Sequence, residues 1–242
     1  MARSIEALVE EQVRRWQLQR AGKEVVEPLP VITVTGLHGA GGDELALQLA
    51  KELHFDHFDR ELIHLVAESA HLGDQVVAAL DGKKREALAD WLAGFASKGS
   101  LTSAEYRSHL ANVIGALAQH GGAVIMGRGA HLLLRERALR VLVVAPLEDR
   151  VRRVMEDEGL SQRDARRRIE AVDSDRRAFI LMHYQAEFTD PTLFDMVLNT
   201  PALGLDGACA LGAAALEARR AQRGARKTAG AAASKRASSR RG

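Results

Sequence analysis

An apolar run that breaks into glycines constrains this chain more than any other feature. Val31-Ile-Thr-Val-Thr-Gly-Leu-His-Gly-Ala-Gly-Gly-Asp-Glu44 reads as a buried strand, a glycine-rich loop and the first turn of a helix. A strand that feeds a helix in this way belongs to a parallel sheet with helices on both faces. The loop has the layout of a phosphate cradle, in which main-chain N–H groups at a helix N-terminus surround an anion. Gly36 and Gly41 keep the spacing of glycine, four residues, glycine, but Gly42 and Asp43 stand where lysine and a hydroxyl residue would follow. Candidate phosphate contacts are therefore Gly36, His38, Gly39, Ala40, Gly41, Gly42, Asp43 and Glu44, with positive charge supplied from other segments. An ordinary strand-to-helix turn is the alternative reading of the same glycines.

Four further strands supply the rest of a sheet: a short one at Phe55 to Phe58, the continuous apolar runs Ala123 to Met126 and Leu139 to Ala145, and Met196 to Asn199. Between them lie helical patterns. The helix after the glycine loop reads as apolar nearly all round, Pro146 opens a helix to about Glu158, and Ser161-Gln-Arg-Asp164 starts a long charged helix toward Tyr184. Within 61–118 the clearest helices are Ala87 to Phe95 and Leu110 to Ala118. The expected fold is a doubly wound, five-stranded parallel α/β sheet. Its parts are an N-terminal amphipathic helix and connector (1–27), a main domain (28–218) with a helical insertion (61–118) and lid-type helices (148–184), and a tail (219–242).

That tail holds nine of the 34 lysines and arginines and no acid, which leaves 25 basic against 32 acidic residues in 1–218. Poor in large apolar residues, it reads as disordered, with at most weak, non-specific nucleic-acid contact. No apolar run reaches the roughly 20 residues that span a bilayer, so no membrane association is expected. The single cysteine, Cys209, fits a reducing cytoplasm. Val9, Val13 and Trp16 share one face of the N-terminal helix, which is expected to pack on the domain or to form a homodimer with a second subunit.

Six segments, Gly39-Ala-Gly-Gly42, Phe58-Asp-Arg-Glu-Leu-Ile63, Gly127-Arg-Gly-Ala130, Val143-Val-Ala-Pro-Leu-Glu-Asp-Arg150, Asp173-Ser-Asp-Arg-Arg-Ala-Phe179 and Asp195-Met-Val-Leu-Asn-Thr200, occur in one register. Together with Glu10-Glu-Gln-Val-Arg-Arg-Trp16 they resemble the cytidylate kinase-like family of bacterial P-loop proteins over about residues 5–215. Family members tend to carry Ser-Arg-Glu before the loop and Arg after it, where this chain has Thr35-Gly-Leu37 and Asp43. The resemblance implies a nucleoside monophosphate kinase fold and transfer of the ATP γ-phosphoryl group, with Mg²⁺, to CMP or dCMP. A catalytically degenerate nucleotide sensor or scaffold is the alternative.

On that reading Arg128, Arg150, Arg153, Arg168 and Arg176 are the catalytic candidates, because phosphoryl transfer depends on positive charge around the migrating group. Asp59, Arg60, Arg128, Asp173 and Asp175 are the acceptor-binding candidates. Arg128 between two glycines suits bidentate phosphate contact. Asp59 and Arg60 read equally as a helix cap and a solvated arginine. Asp43 either complements its helix dipole or ligates Mg²⁺. Most of the other arginines between 150 and 177 are expected on a solvated face with acidic partners.

Overall fold

The computed structural model describes residues 9–14, 16, 30–68, 70–80, 84–86, 88 and 101–238. Five strands, β1 (Val31–Gly36), β2 (Asp56–Phe58), β3 (Ala123–Met126), β4 (Ala138–Val144) and β5 (Met196–Asn199), form one all-parallel sheet in the order β2-β3-β1-β4-β5. The glycine-loop strand is central. Val31 pairs with Ala123 on one side and Ala138 on the other, and the pairing with β4 runs to Gly36 opposite Val143. Strand order reverses about β1, so the loops after β1, β3 and β4 gather at the carboxyl edge, where such sheets place ligands.

Alternation along β1 divides the core in two. Val31 joins a cluster with Phe58, Ile63, Leu110, Ile114 and Ile125, while Ile32 and Val34 join Leu45, Leu49, Val141 and Cys209 across the sheet. The first face is covered by α2 (Arg60–Glu68), α3 (Ala70–Ala78), α4 (Leu101–His120) and α5 (Ala130–Leu134), and the second by α1 (Gly42–Leu53) and α8 (Thr200–Ser238). Between β4 and β5 stand α6 (Leu147–Glu158) and α7 (Gln162–Tyr184), whose Val151, Val154, Ala165 and Ile169 make a small core of their own. Ser161 caps α7 by accepting from the Asp164 N–H at 3.2 Å, as the sequence pattern requires.

Two local expectations need correcting, and a third falls outside what the structure describes. Helix α1 is amphipathic rather than apolar all round: Leu45, Ala46, Leu49 and Ala50 are buried, but Leu47 is 43% exposed because that side turns away from the sheet. The tail read as disordered is helical as far as Ser238, continuing α8, which deviates from helical geometry only at Gly204. Alanine, lysine and arginine extend a helix already anchored by Ala208, Cys209 and Leu216, whether or not they bury anything themselves. The expected helix Ala87 to Phe95 lies, apart from Leu88, outside the described residues.

The N-terminal helical residues pack on the first face. Trp16, 5% exposed, stacks on His120 with ring centroids 3.6 Å apart, and its Nε1 donates to Asp56 at 3.2 Å.

Candidate active site

The loop after β1 is held from three sides. Its Leu37 N–H donates to the Val143 carbonyl on β4 at 3.1 Å, and Thr200 Oγ1 donates to the Ala40 carbonyl at 2.6 Å. Helix α6 presses on Gly39, which has φ +75° and leaves no room for a side chain: a Cβ there would meet the Arg150 carbonyl oxygen and Val154 Cγ2, each at 2.9 Å. Helix α1 then starts at Gly42 with no side-chain cap. Its first-turn N–H groups have no partner within the helix, which leaves them to an anion. A Cβ at Gly42, where lysine is missing, would find Met126 Cε at 3.2 Å, a flexible neighbour.

Arginines approach this loop from α2, α6, α7 and the β3–α5 turn. Arg60, Arg128, Arg168 and Arg176 line one cavity of about 420 Å³, bounded by Gly36 and His38 and containing one carboxylate, Asp175. Arg60 and Arg128 also line an adjoining open depression of about 790 Å³ beside Asp43, Glu44 and Asp59. Arg60 Nη2 reaches Asp43 Oδ2 at 3.3 Å. Arg128 has φ +52°, a strained value for a non-glycine residue. Three contacts hold it there: its Nε donates to the Arg60 carbonyl at 3.0 Å, its carbonyl accepts from Tyr184 Oη at 2.8 Å, and its guanidinium lies 5.4 Å from the Phe179 ring centroid.

Arg176 donates through Nη1 to the Gly36 carbonyl at 2.5 Å. Burial, followed by the positive charge of Arg60, lowers its pKa to about 10, which still leaves it charged at neutral pH. Arg168 pairs with Glu158 at 3.4 Å. His38 Nε2 stands 3.2 Å from the same glutamate, and burial, then Arg176, holds this imidazole below its ordinary pKa.

The remaining candidates fall elsewhere. Arg150 is buried and donates to Asp173 Oδ2 at 2.6 Å and the His38 carbonyl at 3.3 Å, so it supports the loop from behind. Arg153 crosses the loop at Gly41, where a Cβ would come within 2.2 Å of its Nη1. That nitrogen is buried without a hydrogen-bond partner, and Glu44 is 3.8 Å away. Asp173, expected at the acceptor, sits against the glycine loop and does not line the cavity. Helical rotation turns Val172, Asp175, Arg176 and Phe179 to the cavity and leaves Asp173 at the edge of that stripe. The Asp59 carboxylate accepts from the Leu62 N–H at 2.7 Å and so caps α2. The arginines expected on a solvated face have acidic partners there: Arg152 with Asp149, Arg166 with Glu148, Arg167 with Asp164 and Arg177 with Glu187.

His131 was missed from sequence. It lies three residues beyond Arg128, lines the main cavity, shares a 3.1 Å hydrogen bond between its Nδ1 and Thr35 Oγ1, and stacks on Phe194. Burial, then the charge of Arg140, lowers its pKa to about 4, so it is neutral. Its one available signal was position, at the start of the helix after Gly127-Arg-Gly129. Among the described residues no cluster of three or more His, Cys, Asp or Glu side chains is arranged to hold a metal. Asp43 and its neighbour Glu44 offer exposed carboxylates at the loop, a donor set that suits Mg²⁺ shared with phosphates rather than a protein-only metal cage.

An all-parallel sheet in this order, with a glycine loop after its central strand and arginines arching over it, defines a P-loop fold of the nucleoside monophosphate kinase type. The model of the cytidylate kinase-like family matches residues 31–202, and the chain belongs to that family. It is 27% identical to a cytidylate kinase of Thermococcus sibiricus, over 77% of this chain and 88% of the relative. It is 28% identical to a cytidylate kinase of Thermococcus kodakarensis over the same shares. The fold is similar to the crystal structure of an uncharacterized protein from Eubacterium ventriosum, with a TM-score of 0.58 and 17% identity, covering 78% of this chain and 98% of that one.

Proposed function

We propose that this chain is a nucleoside monophosphate kinase that passes the γ-phosphoryl group of ATP to CMP or dCMP. The observation that carries the reading is the convergence of Arg60, Arg128, Arg168 and Arg176 on one cavity beside the glycine loop. Four guanidinium groups facing one carboxylate suit a site for two polyanions, and the family's named relatives are cytidylate kinases. The α1 N–H groups hold the inner phosphates of ATP, and Arg153 supplies at Gly41 the charge that lysine would supply at Gly42. Arg128 and Arg60 hold the acceptor phosphate from the far side. An acceptor phosphate oxygen then forms the new P–O bond as the bond to the ADP oxygen breaks, while Arg176 and Arg168 neutralise the charge spread over the migrating group. Asp43 is the residue that would hold Mg²⁺, which supplies further charge neutralisation when bound. His131 and Thr35 fix the cavity floor.

A second reading, nucleotide binding without transfer, draws on the missing lysine at Gly42 and the acid at Asp43. A coupled ADP-release assay with Mg²⁺, ATP and a panel of nucleoside monophosphates separates the two. Turnover highest with CMP or dCMP supports the kinase. Calorimetric nucleotide binding with no turnover on any acceptor leaves the second reading.

A further inference from the structure

Asp173 engages the loop in a way that a role at the acceptor does not explain. Its Oδ1 accepts from the His38 N–H at 2.9 Å, and its Oδ2 accepts from Arg150 Nη1 at 2.6 Å. A loop amide on one oxygen and a guanidinium on the other are the two donor types that grip a phosphate. The contact is buried: Asp173 is 8% exposed and Arg150 9%. It is also braced, since Gly39 packs on the backbone of α6 at Arg150, and Arg176, one helical turn along from Asp173, holds the Gly36 carbonyl. The carboxylate therefore occupies, at the edge of the cavity, the two kinds of donor that a phosphate would use.

We propose that Asp173 is a built-in competitor of the terminal phosphate, so that a nucleoside triphosphate completes its seat by displacing this carboxylate from His38 and Arg150. The proposal rests on the reading of the loop as a triphosphate site. The first turn of α1 takes the inner phosphates. His38, which faces α7, is left for the outermost one, so a diphosphate leaves Asp173 where it is. Displacement also releases Arg150, a guanidinium that is otherwise neutralised behind the loop, to the incoming anion. Asp173 thus holds the site closed to weak anions and makes Arg150 available only to a ligand that competes for both donors.

Calorimetric titration of the full chain with Mg²⁺-ATP and Mg²⁺-ADP tests this in the wild type, Asp173→Asn, Asp173→Ser and Asp173→Glu. Asparagine keeps an acceptor for the His38 N–H but gives up the charge on Arg150. Asp173→Asn and Asp173→Ser should bind ATP about tenfold more tightly while ADP changes by less than about threefold, and Asp173→Glu should stay near the wild type. ATP binding by Asp173→Asn but not by the wild type supports the proposal equally. If the wild type binds ATP and Asp173→Asn binds it no better, the competitor is refuted and the triphosphate site stands. If no form binds either nucleotide, both fall. If neither neutral variant folds by circular dichroism, Asp173 is a structural prop and the proposal is overturned.

Discussion

Arg176 and Gly36 are joined by a 2.5 Å hydrogen bond from guanidinium to main-chain carbonyl, which ties the middle of α7 to the last residue of the central strand. Helix α7 is thereby fixed to the sheet at the point where the glycine loop begins. A guanidinium has further donors to offer the cavity while one is engaged in this way.

Arg176→Lys keeps the charge and loses that fork. Turnover is expected to fall by roughly 10²-fold, as for loss of one transition-state donor, with a smaller change in the KM for ATP. Steady-state kinetics across both substrates checks it; a drop in affinity alone, at unchanged kcat, would place Arg176 outside the transferring group.

Arg153 lies over Gly41 and, in the proposed function, carries the charge that Gly42 lacks. Arg153→Gln should therefore weaken ATP binding by about tenfold, the loss of one partly exposed charge-assisted contact. Adding Gly42→Lys to that variant should recover most of the loss, since the tightest neighbour of a Cβ there is the movable end of Met126, with Gly36 Cα and Val143 Cβ at ordinary contact distance. Titration of both variants with Mg²⁺-ATP gives the answer, and a double variant as weak as Arg153→Gln would show that the two positions do not share a role.

His131 makes stability depend on acid. It is 1% exposed with a pKa lowered to about 4, whereas the unfolded chain has the ordinary value of 6.5. The unfolded state binds the extra proton between those values, so the native state is favoured above pH 6.5 and loses that advantage as pH falls toward 4. The full difference is about 3 kcal/mol. Urea unfolding at pH 7 and pH 4.5 should show this slope in the wild type and a shallower one in His131→Phe, which retains a ring on Phe194. Equal slopes would mean that the imidazole does not titrate with unfolding.

Gly129 faces the Tyr184 ring so closely that a Cβ would come within 2.2 Å of it, at φ +72°. Gly129→Ala should cost about 2–4 kcal/mol through overpacking and backbone strain together. It should also disturb Arg128, whose carbonyl accepts from the Tyr184 hydroxyl. Denaturant midpoints and the KM for the monophosphate should both move; a fully stable variant would contradict the packing.

The sheet and its central loop were legible because the strands other than β2 (Asp56-His57-Phe58) are short, mainly apolar runs bounded by turn residues, a pattern that sequence displays directly. Arg60, Arg128 and Asp175, singled out by their positions after β2, after β3 and on the charged helix, were brought together in one cavity beside the glycine loop. Asp173 was not: periodicity gives the face of a helix, but the neighbour that face meets depends on how α7 crosses the loop. Arg150 and Arg153 differ by less than one turn of α6, yet one is locked behind the loop and the other lies across it. His131 carries no motif, and its burial beside Thr35 and Phe194 exists only after three separate segments come together. The tail misled because composition reports how little there is to bury, while helix continuation depends on propensity and on the anchored turns before it.

A crystal structure with a non-hydrolysable ATP analogue, Mg²⁺ and CMP tests the central claim most directly. The expected result is a triphosphate seated on the main-chain amides of Gly39 to Glu44, with Arg153 and Arg176 against it and the CMP phosphate on Arg128. A triphosphate bound away from those amides, or a loop left empty at saturating nucleotide, would contradict it.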